Sequence, residues 1–222
     1  GIALVVTDSS GNTFNSSAEF DPFNVYVDDD APTGGDGSQA RPFTQIQDGL
    51  TAVTPGGTVW VAPGIYTDPI VIGTPGVTIR GPNHGVPVGA TRGPEAVVSG
   101  PIEINVKGTF TGFRVETPTC DSDPDCPMYM IMVYGETTIS YSDFTYGTDD
   151  AYLVRGMYLM APRVHIHDNR ITGFPSVIDS FASLPLLLED NVFVDNGINV
   201  LGYELVALRN TFENGSVELA VN

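Results

Sequence analysis

The chain has 222 residues, 27 of them acidic against 9 basic, for a formal net charge of -18. Eight of the nine basic residues are arginine and Lys107 is the only lysine, which excludes a nucleic-acid binder that works by neutralising phosphates. No apolar stretch approaches the ~20 residues of a membrane-spanning helix, and 41% hydrophobic content is too high for a disordered chain.

In chain order, Ile2-Ala-Leu-Val-Val-Thr7 is a strand-like run closed by the turn Asp8-Ser-Ser-Gly-Asn12. Residues 1–24 read as an N-terminal extension, and residues 25–222 as one domain. Ile2, Leu4 and Val6 alternate on one face, so this strand suits addition to a neighbouring subunit. Between Asp28 and Val59 the residues Phe43, Ile46, Leu50 and Val53 share one helical face, which predicts an N-terminal capping helix. The turn Pro55-Gly-Gly57 follows it.

From Val59 onward one frame of up to eight residues recurs: Val59–Tyr66, Val77–Pro82, Gly108–Val115, Thr137–Phe144, Val164–Ile171, Leu186–Phe193 and Leu205–Phe212. Positions one, three and eight are mostly apolar. Position six reads Gly64, Pro82, Phe113, Ser142, Asn169, Asn191 and Asn210. A second strand-like run follows each frame, as in Tyr129–Val133, Gly156–Met160 and Val217–Val221. Glycine and proline make up nearly a fifth of the chain, against a usual ~12%, which suits many short strands. A strand pair every 18 to 31 residues is one coil of a solenoid, and Asn at one bend of successive coils predicts an amide ladder. The expected fold is all-β: a right-handed single-stranded parallel β-helix of about seven coils.

The stretches Val25-Tyr-Val-Asp-Asp-Asp30, Gly34-Gly-Asp-Gly37, Pro42-Phe-Thr-Gln-Ile-Gln47, Pro55-Gly-Gly-Thr-Val-Trp-Val-Ala-Pro-Gly-Ile-Tyr66 and Val77-Thr-Ile-Arg-Gly81 resemble the opening of right-handed parallel β-helix proteins of the pectin-lyase-like superfamily. The resemblance covers roughly residues 25–222. It implies the fold and leaves the reaction open, since this fold hosts lyases, hydrolases, epimerases, adhesins and inert spacers.

Polysaccharide lyases of this superfamily need an Arg or Lys base, for which Lys107 and Arg155 are the weak candidates. The glycosidase patterns Asn-Thr-Asp, Gly-Asp-Asp and Gly-His-Gly are absent, so no catalytic set is assigned. His165 and His167 alternate on a strand and could bind a metal as a pair, but no third ligand is apparent. Calcium is the one cofactor expected, either at Asp28, Asp29, Asp30 and Asp36 or at the alternating Asp121, Asp123 and Asp125. A solvated acidic surface explains the same residues. Cys120 and Cys126 read as a local disulfide, which implies an oxidising compartment. Asn15 and Asn214 head glycosylation sequons.

The expected function is an extracellular or cell-surface structural or adhesive protein that assembles with copies of itself. Ile2, Leu4 and Val6 would pair with the Val217, Leu219, Val221 edge of a neighbour, a heterologous contact that builds filaments. The alternative is a lyase or carbohydrate-binding module on extracellular polysaccharide, with Tyr129, Tyr134, Tyr141, Tyr146, Tyr152 and Tyr158 available for sugar stacking.

Overall fold

Short strands with alternating inward apolar and outward polar residues cannot bury their apolar faces alone; they do so by stacking. The computed structural model describes residues 3–7, 13–17, 21–117, 128–147, 154–174, 176–180, 185–200 and 205–219. Strands β1 (Ala3–Thr7) and β2 (Thr13–Ser17) form an antiparallel hairpin, so the N-terminal run has a partner within its own chain. Next come β3 (Asn24–Val27) and α1 (Ile46–Ala52).

Seven coils follow, as expected, each of three strands. They are β4 (Thr58–Val61), β5 (Gly64–Tyr66) and β6 (Ile70–Ile72); β7 (Val77–Arg80), β8 (Ala96–Val98) and β9 (Ile102–Ile104); β10 (Gly108–Thr111), β11 (Arg114–Glu116) and β12 (Tyr129–Val133); β13 (Thr137–Ser140), β14 (Asp143–Thr145) and β15 (Arg155–Leu159); β16 (Val164–His167), β17 (Arg170–Thr172) and β18 (Ile178–Ser180); β19 (Leu186–Glu189), β20 (Val192–Val194) and β21 (Gly197–Val200); and β22 (Leu205–Leu208), β23 (Thr211–Glu213) and β24 (Ser216–Leu219). Like strands of successive coils stack in parallel into three sheets, the first of eight strands because β3 joins it, the others of seven. The solenoid is right-handed.

The count of three strands, where a pair was expected, comes from a bend inside the eight-residue frame, which splits it into two strands in every coil but the second, where a longer loop separates β7 from β8. In the last four coils position five of the frame turns through the left-handed region: Tyr141 (φ 51°), Asp168 (55°), Asp190 (53°) and Arg209 (54°). Gly112 does the same at φ 85°. Asp tolerates this region; Tyr141 and Arg209 do so only because neighbouring coils hold the bend.

The core is a set of stacked columns. One runs Val25, Val59, Ile79, Phe110, Ile139, Ile166 and Leu188, all at 1% exposure or less. Another runs Val98, Val115, Phe144, Ile171 and Phe193 through the second sheet. A third runs Ile70, Ile102, Ile131, Met157, Ile178 and Ile198 through the third.

The amide ladder expected at position six is present. Asn169 Nδ2 donates to Asn191 Oδ1 at 3.0 Å, and Asn191 Nδ2 to Asn210 Oδ1 at 2.9 Å. Each Oδ1 also accepts the preceding coil's backbone N–H, and Ser142 and Phe113 continue the series through their own N–H groups. The second amide hydrogens reach the carbonyls of Ile139, Ile166 and Leu188.

The cap covers all three sheet edges at the N-terminal end of the stack, each in a different way. Strand β3 pairs with β4 on the first sheet. On the second, Asp29 Oδ2 accepts the Ile65 N–H at 2.8 Å. On the third, the Gln47 amide imitates a strand: Oε1 accepts Val71 N–H at 2.8 Å and Nε2 donates to Val71 O at 3.4 Å. The apolar face of α1 seals the interior with Ile46 and Leu50, both buried, as its period predicted. Gly49 allows this close approach, since a Cβ there would meet Val27 Cγ2 at 2.8 Å and Val59 Cγ1 at 2.9 Å.

Asn191→Ala removes one acceptor and two donors from a buried network, leaving groups on Asn169 and Ile166 unpaired. The expected loss of stability is about 3 kcal/mol or more by denaturant titration. Asn210→Ala, at a half-buried position, is expected to cost less, about 1–2 kcal/mol. Equal and small losses at both would show that the ladder does not hold the bends.

Candidate functional site

The outer face of the third sheet gathers side chains that are far apart in the chain. β12, β15 and β18 lie side by side, with Tyr129 paired to Arg155 and Met132, Tyr158 and Asp179 in one column. Asp179 points outward yet is 5% exposed. Its Oδ2 accepts the Tyr129 hydroxyl at 3.0 Å and Arg155 Nη1 at 2.8 Å, and its Oδ1 accepts the Ser176 hydroxyl at 2.9 Å. The Arg155 guanidinium carbon lies 5.8 Å from the Tyr129 ring centre, and the Tyr129 and Tyr158 rings are 4.8 Å apart. Around this cluster Met128, Tyr134 and Met160 are exposed. The face therefore pairs a rigid, satisfied polar centre with polarizable apolar side chains.

The contacts within the centre hold Arg155 protonated. The hydrogen bond to Asp179, then that to Tyr129, raises the Arg155 pKa. Burial, then Asp179, raises that of Tyr129. A base must lose its proton near neutral pH, and this pairing pushes Arg155 the other way.

The other expected residues fall in several places. Lys107 stands at the far end of the third-sheet strands, exposed, its Nζ 3.6 Å from Glu136. It lies on the rim of a groove of about 530 Å³ over the first sheet, together with Arg163, Thr109, Thr138, His165 and Leu187. The two lyase candidates therefore do not meet in one site. Carboxylate oxygens of Asp28, Asp29 and Asp30 lie within 4.8 Å of one another and form the one group of metal-ligating residues that converges so closely among the described residues. Asp29 Oδ1 there is buried without a partner. Asp36 does not join them, because Arg41 and Ser38 hold it. Tyr146 packs on Phe174 with ring centres 5.5 Å apart, and Tyr141 sits at a bend against His167. Leu4 and Val6 are in β1, Asn15 in β2, and Val217 and Leu219 in β24; Asn214 is exposed at a bend of the last coil. Cys120, Cys126, Asp121, Asp123, Asp125, Tyr152, Ile2 and Val221 lie outside the described residues.

Two outward-facing acids belong to no sequence motif. Asp179 follows an apolar pair, Val177-Ile178, and its outward position was the one available hint. Asp143 lies between Arg114 and Arg170 on the outer face of the second sheet. A loop covers it, fastened by Arg92 to Glu95 and to the carbonyls of Tyr141 and Phe113.

No family model, curated protein or solved structure matches this chain. Among the described residues no helix is long and apolar enough to cross a membrane.

Burial raises the Asp143 pKa, and the three nearby guanidiniums of Arg92, Arg114 and Arg170 only partly oppose it. A raised folded value means that its contribution to stability is complete below the ordinary Asp value of 3.8 and is lost as pH rises through the folded value. Asp143→Asn imitates the protonated acid. It is expected to raise Tm at neutral pH in calorimetry, and the gain should vanish in acid below pH 3.8.

Proposed function

We propose that this chain is an extracellular, adhesive β-helix of the pectin-lyase-like kind that binds neutral glycans along the outer face of its third sheet, without turning them over. The observation that carries the proposal is the Tyr129–Tyr158–Arg155–Asp179 cluster, with Met128, Tyr134 and Met160 exposed beside it. Aromatic faces stack on the C–H faces of sugars while fixed polar groups meet the hydroxyls. A net charge of -18 disfavours anionic polymers and leaves neutral ones. The Asp179 pairing that keeps Arg155 charged supports binding over proton abstraction.

Glycan-array screening followed by calorimetry tests it. Tyr158→Ala and Tyr129→Phe separate the two contributions: the first removes a stacking ring, the second one hydrogen bond to Asp179. Affinity is expected to fall about tenfold or more for Tyr158→Ala, equivalent to ~1.4 kcal/mol. Retention of full affinity by Tyr158→Ala would move the site elsewhere.

A lyase reading has one observation in its favour, the presence of Lys107 and Arg163 on the rim of a groove of about 530 Å³. Unsaturated product released by wild type and lost in Lys107→Ala would support it against the adhesive reading. Filament assembly through β1 competes with its pairing to β2 inside one chain, and glycan binding does not.

The calcium part of the proposal falls to Asp28, Asp29 and Asp30. Millimolar calcium is expected to raise Tm in wild type but not in Asp28→Asn/Asp30→Asn. Identical melting with and without calcium would leave Asp29 solely as the clamp on Ile65.

A further inference from the structure

The long loop of the second coil, residues 81–95, encloses a cavity away from the third sheet. Its base is pinned by Asn83, which is 2% exposed. Asn83 Oδ1 accepts the Gly93 N–H at 2.7 Å, and Nδ2 donates to Pro94 O at 3.1 Å. Arg92 ties the loop to the next two coils through the carbonyls of Phe113 and Tyr141. The tip, Pro87 to Ala90, turns at Gly89 (φ 87°). Between this tip and Ser142, Asp143, Asp168 and Arg170 lies a cavity of about 160 Å³, room for one six-membered ring. Because the loop is held at its base and by Arg92, the cavity is formed before a ligand arrives.

Two charged side chains in this cavity are left without partners. Arg114, Asp143 and Arg170 form one outward column across three coils. Arg114 turns instead to Glu116 at 2.7 Å, and Arg92 to Glu95 at 2.6 Å. Among the described residues, the side chains of Asp143 and Arg170 make neither a hydrogen bond nor an ion pair. Asp168 is engaged by His167 Nδ1 at 2.8 Å and by the Tyr141 hydroxyl. The Ser142 hydroxyl donates to Ser140 O. The polar capacity left open is one carboxyl beside one guanidinium. An acceptor and a donor side by side match two adjacent hydroxyls, one donating to Asp143 and the other accepting from Arg170. Burial outweighs the nearby guanidiniums at Asp143, so a charged ligand would meet the same desolvation, and a neutral one meets less. Pro87, Val88 and Ala90 offer apolar contact to the C–H face of a ring. An uncompensated carboxyl also costs stability at neutral pH, a trade that binding sites make.

We infer that the cavity between the 81–95 loop and the bends of the fourth and fifth coils binds the vicinal diol of a single sugar ring or of a small polyol, with Asp143 as acceptor and Arg170 as donor. Its size admits one ring, so it takes a single unit or a chain end, whereas the third-sheet face lies open along its length. The inference does not rest on glycan binding at that face.

The test is ligand-observed NMR titration of the full chain with cyclohexane-1,2-diol, methyl glucoside and erythritol, and with cyclohexanol as the ring that lacks a diol. Saturable binding of at least one diol in the millimolar range is expected, with cyclohexanol weaker by about tenfold or more. Arg170→Ala removes the donor, and Ala90→Trp fills the cavity from the loop side; each is expected to weaken diol binding about tenfold or more. Asp143→Ala should do the same. Melting of each variant separates loss of site from loss of fold, and the substitutions at exposed Arg170 and Ala90 carry the test if Asp143→Ala does not fold. Counting only the binding that Arg170→Ala removes separates this site from the third-sheet face. Within that fraction, maltotriose binding without β-cyclodextrin binding identifies a chain end, and erythritol binding alone identifies a free polyol; both support the cavity. Absence of saturable diol binding by the folded wild type would overturn the inference. So would cyclohexanol binding as tight as that of the diol, or diol binding that survives in a folded Arg170→Ala/Ala90→Trp double variant.

Discussion

Everything on the surface of this molecule depends on the hydrogen-bonded register between successive coils. Parallel strands stack about 4.8 Å apart, so a side chain at one frame position stands over the same position of the next coil. The amides of Asn169, Asn191 and Asn210 pin that register at a bend, because each must find the next to satisfy its own buried groups. A shift of one residue would turn every inward column outward. The core columns and the buried amide ladder therefore enforce the same alignment.

The same stacking that gives a regular interior gives an irregular exterior, because outward positions are free of the packing constraint. On the first sheet, Thr109, Thr138, His165 and Leu187 share one column. On the third, Met132, Tyr158 and Asp179 share another. Function, where this fold has any, is written in such columns. The pairing of Arg155 with a nearly buried Asp179 from a neighbouring coil shows how stacking alters chemistry: a residue that in sequence is a weak candidate base is held charged by its neighbours.

The N-terminal cap meets a different constraint. A solenoid exposes three strand edges at its end, each a row of unpaired backbone groups. Here a strand, a carboxylate and an amide cover them one by one. Asp29 is thereby given a structural duty at the centre of an acidic run that, in sequence, suggests metal binding or a solvated surface.

Periodicity carried much of the architecture. Apolar residues at frame positions one, three and eight, the recurring Asn at position six and the helical face of Phe43, Ile46, Leu50 and Val53 are local patterns, and local patterns are set by backbone geometry and burial of the residues themselves. The sharp bend inside the frame was less legible, because Tyr141 and Arg209 disguise a position that Asp168 and Asp190 mark. What no local pattern contains is the partner across coils. Tyr129 meets Asp179 across 50 positions, and Glu189 reaches His165 only through the register of β16 with β19. Those meetings depend on the summed lengths of the loops between strands, which vary from coil to coil and obey no repeat. Strand chemistry thus settles that the chain winds into a solenoid, and the stacking of unequal coils decides which side chains meet on its surface.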